Sequence, residues 1–161
     1  IFMNNNLIIK TAKDVLKTEL SGVNKISKIL NNNFVSIINK LSNVKGRVIF
    51  TGIGKSGHIA KKISSTMSST GTPSHFCHST ELSHGDLGVI SKNDIIIILS
   101  NSGNSIELKG VIDFCKKNKI FTIGISSSQN SNLIKSVNMS LIAPSADEAC
   151  AIGLANNLAL K

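Results

Sequence analysis

Ile95-Ile96-Ile97-Ile98-Leu99 runs directly into Ser100-Asn101-Ser102-Gly103-Asn104-Ser105, and a segment of helical period begins at Ile106-Glu107. An unbroken aliphatic run of this length, with no polar alternation, is the mark of a strand buried on both faces. The hydroxyl-rich, glycine-containing turn that follows leads into a helix. Unpaired backbone N–H groups at a helix start, with the positive end of the helix dipole, offer an anion several donors at once. Strand, Ser/Gly turn and helix together predict a phosphate-binding corner.

The same design occurs upstream. Arg47-Val48-Ile49-Phe50 leads into Thr51-Gly52-Ile53-Gly54-Lys55-Ser56-Gly57-His58, after which Ile59, Ile63 and Met67 recur every four positions, as one helix face requires. Further strand-like runs stand at 74–78, 120–126 and 138–143, and Leu108, Val111, Ile112 and Cys115 mark another helix face. Strands alternating with helices predict an α/β fold, a doubly wound five-stranded parallel sheet covered on both faces. Ligands bind such sheets at the strand carboxyl ends, near the switch of strand order. Both Ser/Gly turns lie at strand carboxyl ends, so one phosphorylated ligand held between them is expected.

Ahead of the first strand, Ile9, Ala12, Leu16, Leu20 and Val23 fit one helix face. Phe34, Ile37, Ile38 and Leu41 repeat the pattern in a second helix, with Asn31-Asn32-Asn33 as turn or cap between them. Residues 1–46 are thus expected to form a helical segment packed on an α/β domain of residues 47–161, a single domain overall. The apolar surface of the two helices exceeds what one sheet edge needs, which predicts a homodimer or homotetramer.

The net charge of +9 raises the question of nucleic acid, but Arg47 is the only arginine and Trp and Tyr are absent. With no dense basic block and nothing but phenylalanine and histidine to stack on bases, nucleic acid is excluded as a partner. A diffuse positive field still attracts a small anion. No apolar run reaches the roughly 20 residues that span a bilayer, and Ile1-Phe2-Met3-Asn4 lacks the features of a signal peptide, so a cytoplasmic, non-membrane protein is expected. Cys77, Cys115 and Cys150 are widely spaced, as small buried hydrophobes would be.

Taken together, Gly52-Ile53-Gly54-Lys55-Ser56-Gly57-His58, Ser69-Thr70-Gly71-Thr72-Pro73-Ser74, His84-Gly85-Asp86-Leu87-Gly88, Ser100-Asn101-Ser102-Gly103 with Glu107, and Glu148-Ala149-Cys150 before Gly153-Leu154-Ala155 give a specific likeness. The chain resembles the sugar isomerase (SIS) domain, and within it the arabinose 5-phosphate isomerases of the lipopolysaccharide sugar pathway. The resemblance implies a flavodoxin-like fold and interconversion of ribulose 5-phosphate and arabinose 5-phosphate through an enediol, without a cofactor or metal. Such isomerases continue after Leu154-Ala155 with a Pro and a Ser/Thr-rich turn, a later histidine and often paired CBS domains. Asn156-Asn157-Leu158-Ala159-Leu160-Lys161 stands here instead, so a C-terminally shortened sequence is expected.

Aldose–ketose chemistry needs a base within reach of the carbon, donors for the developing oxygen charge and an anchor for the phosphate. Of the nine carboxylates, Asp14, Glu19 and Asp113 fall within helices and Asp94 at a strand start, leaving Glu81, Asp86, Glu107, Asp147 and Glu148. Glu107 follows the Ser100–Ser105 turn and matches the family's catalytic glutamate, so it is the expected base. A first-turn glutamate favouring the helix dipole is the structural alternative. Glu148 is the reserve base. Lys55 is expected to stabilise the enediolate or the phosphate, and the resemblance assigns His84 to ring opening or to proton transfer between O1 and O2. Gly54, Ser56, Gly57, Ser100, Asn101, Ser102, Gly103 and Ser105 are the expected substrate-binding residues, with the glycines letting the backbone come close. His58, His75, His78 and His84 lack the spacing of a zinc site. A non-catalytic sugar-phosphate sensor is the alternative, since a sensor needs the serine turns and no base. A dinucleotide site is disfavoured, because Thr72 to Ser74 stand where its acidic residue belongs.

Overall fold

The structure, a computed structural model, describes residues 4–146 and 149. Two helices, α1 (Asn5–Ile26) and α2 (Asn32–Ser42), precede β1 (Val48–Gly52) and α3 (Gly54–Ser69). Then follow β2 (Ser74–His78), α4 (Ser79–Ser83), β3 (Ile95–Leu99), α5 (Leu108–Lys117), β4 (Phe121–Ser126), α6 (Asn132–Ser136) and β5 (Met139–Ile142). The five strands form one all-parallel sheet in the order β2-β1-β3-β4-β5. This is the expected doubly wound α/β fold, and each predicted strand lies within two residues of its observed limits.

The aliphatic run of β3 is central, so every residue of it is buried. Val48 and Phe50 of β1 and Ile95, Ile97 and Leu99 of β3 face one core with Ala60 of α3 and Ile37 of α2. Ile49, Ile96 and Ile98 face the other, against Leu82 of α4, Leu108, Val111 and Cys115 of α5, and Leu133 of α6. Odd and even positions part cleanly, as the two-residue period of a strand demands. Each fully buried Ile or Leu contributes about 1.5–3 kcal/mol. Burial pushes the Cys115 thiol up to about 11, which leaves it an inert core side chain.

At the amino ends of β1 and β3, Asp94 is a buried clamp. Its Oδ1 accepts from the Arg47 N–H at 2.7 Å, and its Oδ2 accepts from the Ser91 N–H at 2.8 Å and from Arg47 Nη2 at 3.2 Å. Asn31 caps α2 as expected, accepting from the Asn33 and Phe34 N–H groups. Helix α1 differs in its surroundings. Its predicted apolar face exists, but Ile9, Leu16, Leu20 and Val23 are 54%, 59%, 61% and 56% exposed, and only Gly22 of α1 is buried.

Candidate functional site

The order of strands reverses between β1 and β3, because α3 carries the chain from β1 to β2 on one side and β3 returns on the other. That crevice is where open α/β sheets bind ligands. Gly52 and Leu99, the last residues of the two strands, pair in register. Both Ser/Gly turns therefore leave the sheet at the same height and open toward each other.

Between them lies a cleft of about 340 Å³ lined by Ile53, Lys55, Ser56, Leu99, Ser100, Asn101, Ser102, Ser105 and Leu108. On the β1 side, α3 begins without a side-chain cap and without an acidic residue in its first turn. By contrast α1, α2, α4 and α6 are capped by Asn4, Asn31, His78 and Ser131. The uncapped start leaves first-turn N–H groups for an anion. Close approach makes this possible: a Cβ on Gly57 would lie 2.9 Å from the Gly52 carbonyl oxygen, and one on Gly52 would lie 2.9 Å from that of Leu99. Neither position has room for a side chain.

On the β3 side, Ser100 Oγ accepts from the Gly103 N–H at 3.1 Å and Ser102 Oγ accepts from the Asn104 N–H at 3.3 Å. An oxygen that accepts from backbone keeps its own O–H to donate, so both hydroxyls are available to a ligand oxygen. Gly103 turns the loop at φ +64°. The loop is fastened from the end of β4, the turn after it and α6: the Ser127 N–H and Ser126 Oγ donate to the Asn101 carbonyl at 3.1 and 2.9 Å, and the Leu133 N–H donates to that of Gly103 at 2.9 Å. Sequence reasoning passed over this third turn. Its signal was Ser126-Ser127-Ser128 standing at the end of a strand run, like the other two.

The expected site residues divide among neighbouring clefts. Lys55, Ser56, Ser100, Asn101, Ser102 and Ser105 share the switch-point cleft. Gly54 and Gly57 line a larger groove of about 780 Å³ along α3 and β2, together with His58, Lys61, His75, His78 and Glu81. Gly103 lies with Ser105 and Leu108 between α5 and α6. Glu107 and His84 line a fourth cleft together, with Thr80, Ser83 and Gly110. Glu107 stands at the N-cap position, and its carbonyl accepts from Ser83 Oγ at 2.9 Å. Leu108 takes the inward position instead and is 2% exposed. Asp147 and Glu148, the reserve base, lie outside the described residues, as do Cys150 and residues 151–161. Among the described residues, no group of three or more His, Cys, Asp or Glu converges as metal ligands, and no helix is long and apolar enough to cross a membrane.

Known proteins are similar to this chain in sequence and in fold. The SIS domain family model matches residues 40–160. The arabinose 5-phosphate isomerase KdsD of Pseudomonas aeruginosa is 39% identical over 154 residues, 95% of this chain and 47% of that protein. The uncharacterized protein RP505 of Rickettsia prowazekii is 43% identical over 150 residues, 93% of this chain and 46% of its own length. The chain thus spans about half the length of these curated relatives. Among solved structures, Escherichia coli CFT073 c3406 in complex with arabinose 5-phosphate has a TM-score of 0.92 at 38% identity, covering 98% of this chain and 84% of that one. The Vibrio vulnificus NanR protein complexed with ManNAc-6P, with a TM-score of 0.80 at 15% identity, covers 96% of this chain and 60% of that one and shares the fold alone.

Proposed function

The chain belongs to the SIS domain family, and from that premise we propose that it is the catalytic domain of an arabinose 5-phosphate isomerase, interconverting ribulose 5-phosphate and arabinose 5-phosphate through an enediol. The observation that carries the reading is the switch-point cleft, where an uncapped helix start and two serine hydroxyls with protons to donate surround a space of sugar-phosphate size. The likeness of the chain to a relative named for this activity, at 39% identity over 95% of the chain, supports arabinose 5-phosphate as the sugar phosphate.

In this reading the phosphate sits at the start of α3, held by Ser56, Ser100, Ser102 and Ser105, with Gly54, Gly57 and Gly103 letting the backbone come close. Lys55 adds a positive charge beside the phosphate or the enediolate oxygen. Glu107 removes the proton at C2 and returns it at C1, and His84, which lines the same cleft as Glu107, opens the sugar ring or carries the proton between O1 and O2. Glu148 stands in reserve as base. The chemistry needs no metal or cofactor. The protein works in the cytoplasm on a precursor of lipopolysaccharide sugar, as a homodimer or homotetramer that covers the apolar face of α1.

The test is one-dimensional NMR of arabinose 5-phosphate in deuterated buffer with this protein. Ribulose 5-phosphate and deuterium at C2 are the expected products. Binding with neither product nor exchange would overturn the isomerase in favour of a sugar-phosphate sensor, which needs the cleft and no base.

A further inference from the structure

Asn101 lines the switch-point cleft from the β3 side, and both of its oxygens are held from the turn after β4. Its carbonyl accepts from Ser126 Oγ and the Ser127 N–H. Its side-chain Oδ1 lies 2.5 Å from Ser127 Oγ. Ser127 Oγ is the donor and the amide oxygen the acceptor. The carboxamide is planar, with its oxygen and nitrogen on opposite sides. Fixing Oδ1 against β4 therefore turns Nδ2 away from it, and among the described residues no acceptor takes the Nδ2 protons.

We propose that Ser127 is a positioning residue: its hydroxyl locks the Asn101 carboxamide so that the NH₂ group donates into the cleft, to an anionic oxygen of the bound sugar phosphate. The inference rests on the sugar-phosphate reading of the cleft. A carboxamide free to rotate would present its oxygen to the anion in one of its two orientations, and an acceptor facing an acceptor repels. The lock is separate from the fastening of the loop. The Ser126 hydroxyl, the Ser127 N–H, the Leu133 N–H and the bond from the Ser100 N–H to the Ile125 carbonyl hold the backbone without the Ser127 hydroxyl. Removing that hydroxyl frees the side chain of Asn101 and leaves its main chain in place.

A double-mutant cycle read by calorimetric binding of arabinose 5-phosphate tests this, with turnover measured in parallel. Ser127→Ala is expected to weaken binding about tenfold, the size of one hydrogen bond to a charged group, with an unchanged melting temperature. Ser127→Thr, which keeps the hydroxyl, is expected to bind like the parent. On an Asn101→Ala background, Ser127→Ala is expected to cost nothing further, because its effect passes through that one side chain. Parent-like binding by Ser127→Ala, or losses that add in the double variant, would overturn the role of Ser127. A parent that binds without turnover overturns the isomerase reading and leaves the cycle to be read. A parent that turns over while the cycle is additive loses only the Ser127 role. A parent that binds no sugar phosphate overturns both.

Discussion

Gly103→Ala tests the construction of the cleft most directly. Gly103 has φ +64°, and a Cβ added there would lie 2.3 Å from Ser131 Oγ, 2.5 Å from Ser131 Cβ and 3.0 Å from Ser126 Oγ. Neither serine can step aside cheaply. Ser126 is fully buried and bonded to the Asn101 carbonyl, and Ser131 is 1% exposed and caps α6. The left-handed backbone costs a side chain about 1–2 kcal/mol, and forcing a methyl into packed surroundings costs about 1–3 kcal/mol more. The sum of roughly 2–5 kcal/mol is a large share of the roughly 5–15 kcal/mol that holds a domain together. Gly54 is the internal control. It has φ +55° with nothing within 4 Å of an added Cβ, so Gly54→Ala should carry the backbone cost alone, about 1–2 kcal/mol. Urea unfolding followed by circular dichroism is expected to rank the parent above Gly54→Ala and Gly54→Ala above Gly103→Ala. Equal stability of the two variants would refute the steric half of the argument, and a parent-like Gly103→Ala would refute all of it.

Glu107→Gln is expected to lower turnover by about 10²–10⁴-fold, the usual share of a general base, while calorimetry finds sugar-phosphate binding unchanged; retained turnover would move the base to Glu148. Burial alone would raise the Asp94 pKa, but the hydrogen bonds from Arg47 and Ser91 outweigh it and hold the carboxyl below its ordinary value. The stability this clamp supplies is complete above the unfolded pKa near 3.8 and is lost as pH falls through the depressed folded value. Asp94→Asn should cost roughly 1–3 kcal/mol at neutral pH by stranding buried donors and should flatten the acid limb of a stability–pH curve. Leu16→Lys with Leu20→Lys is expected to leave the circular dichroism spectrum intact and to shift light-scattering mass toward the monomer, since both side chains are already exposed in the single chain.

The sheet was legible because its signals are local. An all-aliphatic β3 can only be central, and serine-glycine turns at two strand ends locate the crevice before any topology is known. What escaped depended on a half-turn of helix. Glu107 and Leu108 are neighbours in sequence, yet α5 aims Leu108 into the core and gives Glu107 to the cleft beside α4, a choice fixed by packing against Leu82 and not by spacing. The α1 face was legible as a period and silent as to its partner, because periodicity reports that a face is apolar and not what covers it. The turn at Ser126 to Ser128 has the composition of the other two, but its hydroxyls act on a loop 25 residues earlier, a relation that only the order of strands creates.

The pairing of β1 with β3 sets when this cleft exists. Gly52 and Leu99 stand 47 residues apart in sequence and side by side in the sheet, so the register that levels the two turns is a long-range contact. A ligand that needs both turns level binds the folded chain and not the unfolded one, so it would raise the stability of the whole sheet by mass action.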